Sequence, residues 1–302
     1  MLSEIFYWLF NMSISAALTG VIILLIGKIR KIPRRIMTIL FAIPFFRMWV
    51  PIGMGSKYSL MSLISKITSK TITVFKGPAV FTTTNFAMAA DSYFPIAFKT
   101  ASLKMIFQIA SFIWFTIAIA FLIALFIIYA TTKSELKGAA HLKDNIYLTD
   151  KITSPAVYGI IHEKIMLPKR YDAGDLKFVL MHEKAHIRRK DNLWRILAIV
   201  TACIHWFNPL AWLFLKSFLT NLELACDELV LKKCSEAETN NYAIALLNYS
   251  ESKNLYVSAF GGAKLRVRIE RIVSYKKLSA MSITAFIILA IAVGYVLLTN
   301  AL

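Results

Sequence analysis

Acidic residues are scarce in this chain: 17 Asp and Glu stand against 35 Lys and Arg, giving a formal net charge of +18 over 302 residues. Cysteine is rarer still, with only Cys203, Cys226 and Cys234. Three thiols make no disulfide framework and their spacing is not that of a zinc ribbon, so they read as reduced, small, buried side chains. No RRM, KH or helix-turn-helix signature and no disordered basic tail is present, so the basic excess is not read as direct nucleic-acid binding. The N-terminus lacks the basic lead and the small-residue cleavage site of a signal peptide, because Glu4 is the only charge before Lys28. Apolar residues, by contrast, make up 58% of the chain. That proportion belongs to a membrane protein, whose surplus Lys and Arg mark cytoplasmic loops and meet anionic headgroups.

Four apolar stretches approach the roughly 20 residues needed to cross a bilayer. They lie at about 4–27, 34–53, 104–130 and 279–300. The second contains Arg47 and two prolines; Arg47 either snorkels to an interface or faces other helices. The loop 28–35 holds Lys28, Arg30, Lys31, Arg34 and Arg35, so the positive-inside rule places it in the cytoplasm. The N-terminus, the loop 54–103 and the C-terminus are then outside, and 131–278 is cytoplasmic. Within the outer loop, Thr71–Phe75 leans toward β structure. The expected organisation is three membrane helices in 1–130, a cytoplasmic domain over 131–278 and a fourth span in 279–302.

The cytoplasmic part begins with strand-like segments at 145–148, 156–160 and 164–167, the last closed by Pro168. Asp172-Ala173-Gly174-Asp175 then caps a long helix expected to run through 182–200. Asn208-Pro209 breaks the chain, and Pro209 suits the first turn of a helix reaching about Lys233. Further helices are expected near 238–252 and from Lys264. The apolar halves 193–207 and 209–220 are each too short to span. They read as a hairpin dipping into the inner leaflet, with Trp194, Trp206 and Trp212 as interface anchors. The competing reading is a helical hairpin buried in a soluble core.

The predicted helix carries His182-Glu183-Lys184-Ala185-His186. Residues at i and i+4 share a helix face, so two imidazoles there can bind one Zn²⁺ while the intervening Glu reaches a water. Such a pentapeptide arises by chance in about one in a hundred chains of this length, so it needs a third ligand to carry weight. Glu223 on the next helix can supply one. Asp227, one turn later, can orient a ligating imidazole. The bland reading of Glu223 and Asp227 as solvated helix charges fits poorly with their place just past an apolar helix half. His205 reads as a capping or interface residue, and His141 and His162 as solvent-facing. The exposed edge of 156–160 offers strand addition for an extended peptide. Arg188, Arg189 and Tyr242 are all candidates to stabilise an oxyanion.

Ser154–Gly159, His182–Asp191, Asn208-Pro209-Leu210 and Glu223–Glu228 together resemble the BlaR/MecR family of membrane zinc peptidases, antirepressor receptors of bacterial beta-lactam resistance. The resemblance implies a cytoplasmic α+β gluzincin-like domain on an α-helical membrane protein. It implies one Zn²⁺ held by His182, His186 and Glu223, with Glu183 as the base and Asp227 behind a ligand. It also implies a bacterial cell membrane, a DNA-binding repressor as protein substrate, and self-cleavage within about 255–266, around Ser258–Gly262. Receptors of this family carry a penicillin-binding domain after the fourth helix, where this sequence stops, and the Ser-x-x-Lys matches at 250–253 and 274–277 read as chance. A separate sensor protein, a second copy of the chain and the bilayer complete the expected partners. Two other functions compete: a quality-control membrane protease, and a non-catalytic sensor or scaffold with structural zinc. A structural site has no need of Glu183, which weighs against the last.

Overall fold

A computed structural model of the chain describes residues 1–29, 31–50, 54–60, 62, 101–169, 174–249 and 265–299. The β-leaning stretch 71–75, Asp172, Ala173 and the proposed self-cleavage residues Ser258–Gly262 lie outside these.

Helix α1 (Leu2–Gly27) and α2 (Arg34–Trp49) form an antiparallel pair. Next comes α3 (Ala101–Glu135), and the last helix of the chain is Ala280–Leu298. Among the described residues, three segments are long and apolar enough to cross a membrane: Leu2–Gly27, Met105–Gly138 and Ala280–Leu298. The expected second span is a helix of 16 residues, about 24 Å long, and is not among them. Its Arg47 is buried and faces other helices: Nη1 donates to Leu297 O at 2.7 Å, satisfying a carbonyl at the C-terminal end of the last helix. Nearby, Ser59 Oγ donates to Thr299 O at 2.6 Å, and Ser56 Oγ lies 3.0 Å from Tyr295 Oη.

Four short strands follow α3: β1 (Ala140–Lys143), β2 (Ile146–Thr149), β3 (Ala156–Tyr158) and β4 (Lys164–Pro168). The sheet order is β1-β2-β4-β3, with β2 parallel to β4 and the other pairs antiparallel. The three expected strands are present. β1 was not anticipated, because its sequence AHLK has neither β-branched residues nor a buried face. Ile146, Ile165 and Leu167 bury one face of the sheet against Leu176, Val179, Leu180 and Ile187 of the following helix.

That helix, α4 (Leu176–Arg189), does not continue through 200 as the sequence reading expected. Lys190 takes a left-handed conformation (φ 53°, ψ 43°), ends α4 and starts α5 (Asp191–Ile204). Only a residue in this region of φ/ψ space turns the chain so sharply, and the usual signal for it, Gly or Asn, is missing. Asn208 then caps α6 (Pro209–Leu231), its side chain accepting from the Leu210 amide. A Ser235–Glu238 capping box starts α7 (Glu236–Asn248), and α8 (Leu265–Val273) precedes the last helix, α9.

The α5–α6 hairpin is packed into the membrane-helix bundle. Ile199, Ala202, Phe214, Phe218 and Leu222 share one buried cluster with Ile23 of α1 and Met37, Leu40, Phe41 and Met48 of α2. Gly20 makes this possible, since a Cβ there would sit 2.1 Å from the Phe214 ring. At the hairpin tip, Phe207 packs on Phe6 at 5.6 Å between ring centroids, and Asn208 Nδ2 donates to Ser13 Oγ at 2.8 Å. The hairpin therefore runs alongside α1 as far as its first turns. Trp114 Nε1 donates to Ile204 O, tying α3 to the same tip. The α6 helix also meets the start of α2, where Glu228 accepts from the Arg34 amide at 2.7 Å and Thr38 Oγ1 donates to Asn221 O.

Candidate metal centre

Helix spacing brings His182 and His186 together on α4, both buried, with their Nε2 atoms 3.1 Å apart. Packing of α6 against α4 adds Glu223, whose Oε2 lies 3.6 Å from His182 Nε2 and 3.7 Å from His186 Nε2. A tetrahedral zinc with bonds of about 2.0–2.1 Å separates its ligand atoms by about 3.3 Å. The three donors converge at close to that spacing, so the residues fit a zinc ion.

The outward-facing nitrogens are also engaged. His182 Nδ1 is 3.0 Å from Tyr242 Oη and 3.2 Å from Asp227 Oδ1; Tyr242 in turn donates to Asp227 Oδ1 at 2.5 Å. His186 Nδ1 is 2.8 Å from Asp191 Oδ2. Each imidazole can thus give its Nδ1 proton to a carboxylate and turn Nε2 inward, which fixes ring and tautomer for a metal. Asp227 stands where the sequence reading placed it. Asp191 was missed, because only the Lys190 turn brings it back over His186. Arg195 was missed as well: its Nη2 donates to Glu223 Oε1 at 2.9 Å, leaving Oε2 toward the histidines.

Burial and the Arg268 charge pull the His182 imidazole down, but Asp227 and Glu223 outweigh them and raise it above its ordinary value. Burial likewise opposes protonation of His186, yet Cys226, Glu223 and Asp191 hold it well above. The metal-free site is therefore a home for protons that a cation must displace.

Glu183 is buried beside this set and makes no ion pair with another described residue. The oxyanion candidates stand behind the ligands or face solvent. Tyr242 is on Asp227, Arg189 on Asp191 (3.4 Å), and Arg188 is exposed. A residue not anticipated, Arg268 of α8, reaches the ligands instead: Nε and Nη2 donate to Asp227 Oδ2 and Oδ1 at 2.9 and 2.7 Å. Among the cysteines, all buried and free, Cys226 is more than packing, with Sγ 3.1 Å from Asp191 Oδ2. His205 is fully buried at the C-terminal end of α5 against Trp49, whereas His141 and His162 face solvent. The edge strand β3 is partly taken, because Asn192 Nδ2 donates to Val157 O and Gly159 O, both at 3.0 Å.

Asp191→Asn and Asp227→Asn are each expected to weaken zinc binding about 10–100-fold, and Glu223→Ala more, since it removes a ligand. Competition against a chromophoric chelator measures this. Full-strength binding in Asp191→Asn would remove it from the site.

Regulatory protein BlaR1 of Bacillus licheniformis is 30% identical over 164 residues, 51% of this chain and 27% of that protein. The methicillin resistance mecR1 protein of Staphylococcus aureus is 26% identical over 117 residues, 37% of this chain and 20% of the relative. A BlaR1 of Staphylococcus aureus is 24% identical over 162 residues, 50% of this chain and 28% of its own length. The alignments thus span under a third of each of these relatives. The family model described as BlaR1 peptidase M56 matches residues 7–273, from the first turns of α1 to the end of α8. By that match the chain belongs to the BlaR1 peptidase M56 family, a family of membrane metallopeptidases.

Proposed function

We propose that this chain is a zinc-dependent endopeptidase that works from the bacterial cell membrane and cuts a cytoplasmic DNA-binding repressor, and itself, in response to a signal. The observation that carries this reading is the convergence of His182, His186 and Glu223, with Glu183, buried and without an ion pair to another described residue, between the two histidines in sequence. When bound, zinc supplies Lewis acidity for the scissile carbonyl and the attacking water. Glu183 accepts the water's proton and delivers it to the leaving amine. Asp227 and Asp191 hold the two imidazoles, and Arg195 holds Glu223. The relatives' names, a regulatory protein BlaR1 and a methicillin resistance mecR1 protein, support a part in regulation.

Comparing protein fragments in cells that carry the wild type or Glu183→Gln tests the substrate. One cleaved DNA-binding protein, absent in the variant, is expected. Many unrelated membrane-protein fragments would instead mark quality control, and identical profiles a non-catalytic scaffold.

The same reading places 28–35 and the metal centre in the cytoplasm. The native cysteines are buried, so single introduced thiols report cleanly. A cysteine at Tyr58, 78% exposed, is expected to react with an impermeant maleimide added outside, and one at Lys31 is not. The reverse pattern would turn the protein over and put the metal centre outside.

A further inference from the structure

Water adding to a peptide carbonyl leaves a negative oxygen, and a fixed donor beside that oxygen supplies much of the rate. Arg268 is built for such a place. Its Nε and Nη2 grip both Asp227 oxygens, which fixes the plane of the guanidinium. Nη2 lies 3.3 Å from His182 Nε2 and 3.4 Å from its Nδ1, and Nη1 lies 3.7 Å from Glu223 Oε2. His182 Nε2 and Glu223 Oε2 are two of the three converging donors, so the guanidinium borders their side of the site. Among the described residues Nη1 has that one ion-pair neighbour, beyond hydrogen-bonding length, so its N–H groups are not taken up by any of them. The side chain is 15% exposed, enough for one face to meet a substrate.

We propose that Arg268 is a catalytic residue whose Nη1 donates to the oxyanion forming on the scissile carbonyl. Asp227 then has two tasks, orienting His182 and holding the arginine rigid, so no reorganisation accompanies the reaction. The inference rests on the peptidase reading above.

Full-length protein purified in detergent and loaded with zinc tests it, using a fluorogenic peptide that the wild type cleaves and a phosphonamidate peptide of the same sequence. The phosphonamidate carries a tetrahedral anion in place of the carbonyl. Arg268→Gln is expected to retain one zinc, to lose about 10²–10³-fold in kcat with KM within about threefold, and to bind the phosphonamidate weaker by a like factor. Arg268→Lys is expected to recover part of both. Unchanged kcat and phosphonamidate affinity in zinc-loaded Arg268→Gln would overturn the assignment, while Glu183→Gln stays inactive and the peptidase reading stands. Zinc lost from both Arg268 variants in step with activity would overturn it too, as a purely structural effect through Asp227. A wild type as inert as Glu183→Gln toward every peptide would remove both readings together.

Discussion

His182→Ala and His186→Ala are each expected to abolish zinc binding, while the purified wild type holds one zinc per chain. Three protein ligands share the ion in the geometry above, and removing one imidazole leaves two donors and a hole where Nε2 stood. Asp191 and Asp227 face the far nitrogens of the rings, and Cys226 lies 3.3 Å from His186 Nδ1, on the side away from Glu223. Metal analysis after gel filtration measures the loss; wild-type zinc content in both variants would sink the site. Acid is expected to act in the same direction. Because both imidazoles are raised in the metal-free protein, each binds its proton more tightly than a free histidine, and zinc must displace it. Zinc affinity is therefore expected to climb with pH through and above the ordinary histidine range, about 6.5.

Glu183→Gln is expected to keep the zinc and the fold and to lose at least a hundredfold in peptide hydrolysis. The amide matches the carboxylate in shape but cannot take a proton from water. Glu183 is engaged in no ion pair with another described residue, so its replacement breaks none among them. Zinc content and circular dichroism serve as controls beside the rate. A zinc-loaded variant that still hydrolyses at the wild-type rate would show that another group is the base.

The pattern of what could be read from sequence is physical. His182 and His186 announce themselves because helix geometry converts a spacing of four into one face. Glu223 and Asp227 are legible for the same reason, as an i, i+4 acidic pair after an apolar run. Asp191 is not, since it depends on a single left-handed residue that happens to be lysine. Arg195 and Arg268 are invisible because their partners are 28 and 41 residues away in sequence and meet only through packing of α5, α6 and α8. The strands from β2 onward show β-branched and aromatic residues, whereas exposed β1 is held only by its pairing to β2. Arg47 reads as snorkelling or facing other helices, and its buried bond to Leu297 O supplies the acceptor that sequence could not locate.

The close approach at Gly20 has a consequence for how the enzyme can be handled. The helix that carries Glu223 is a wall of the catalytic centre at one end and a stave of the membrane bundle along its length. Cutting out residues 131–278 as a water-soluble fragment would bare Ile199, Phe214, Phe218 and Leu222, now covered by α1 and α2. Each such side chain left in water forfeits about 1.5–3 kcal/mol. The fragment is expected to aggregate, or to hold Glu223 out of register with the histidines. On the proposed reading, bilayer and chemistry share one piece of backbone, and a shift of α1 against α6 is expected to move Glu223 with no messenger between them.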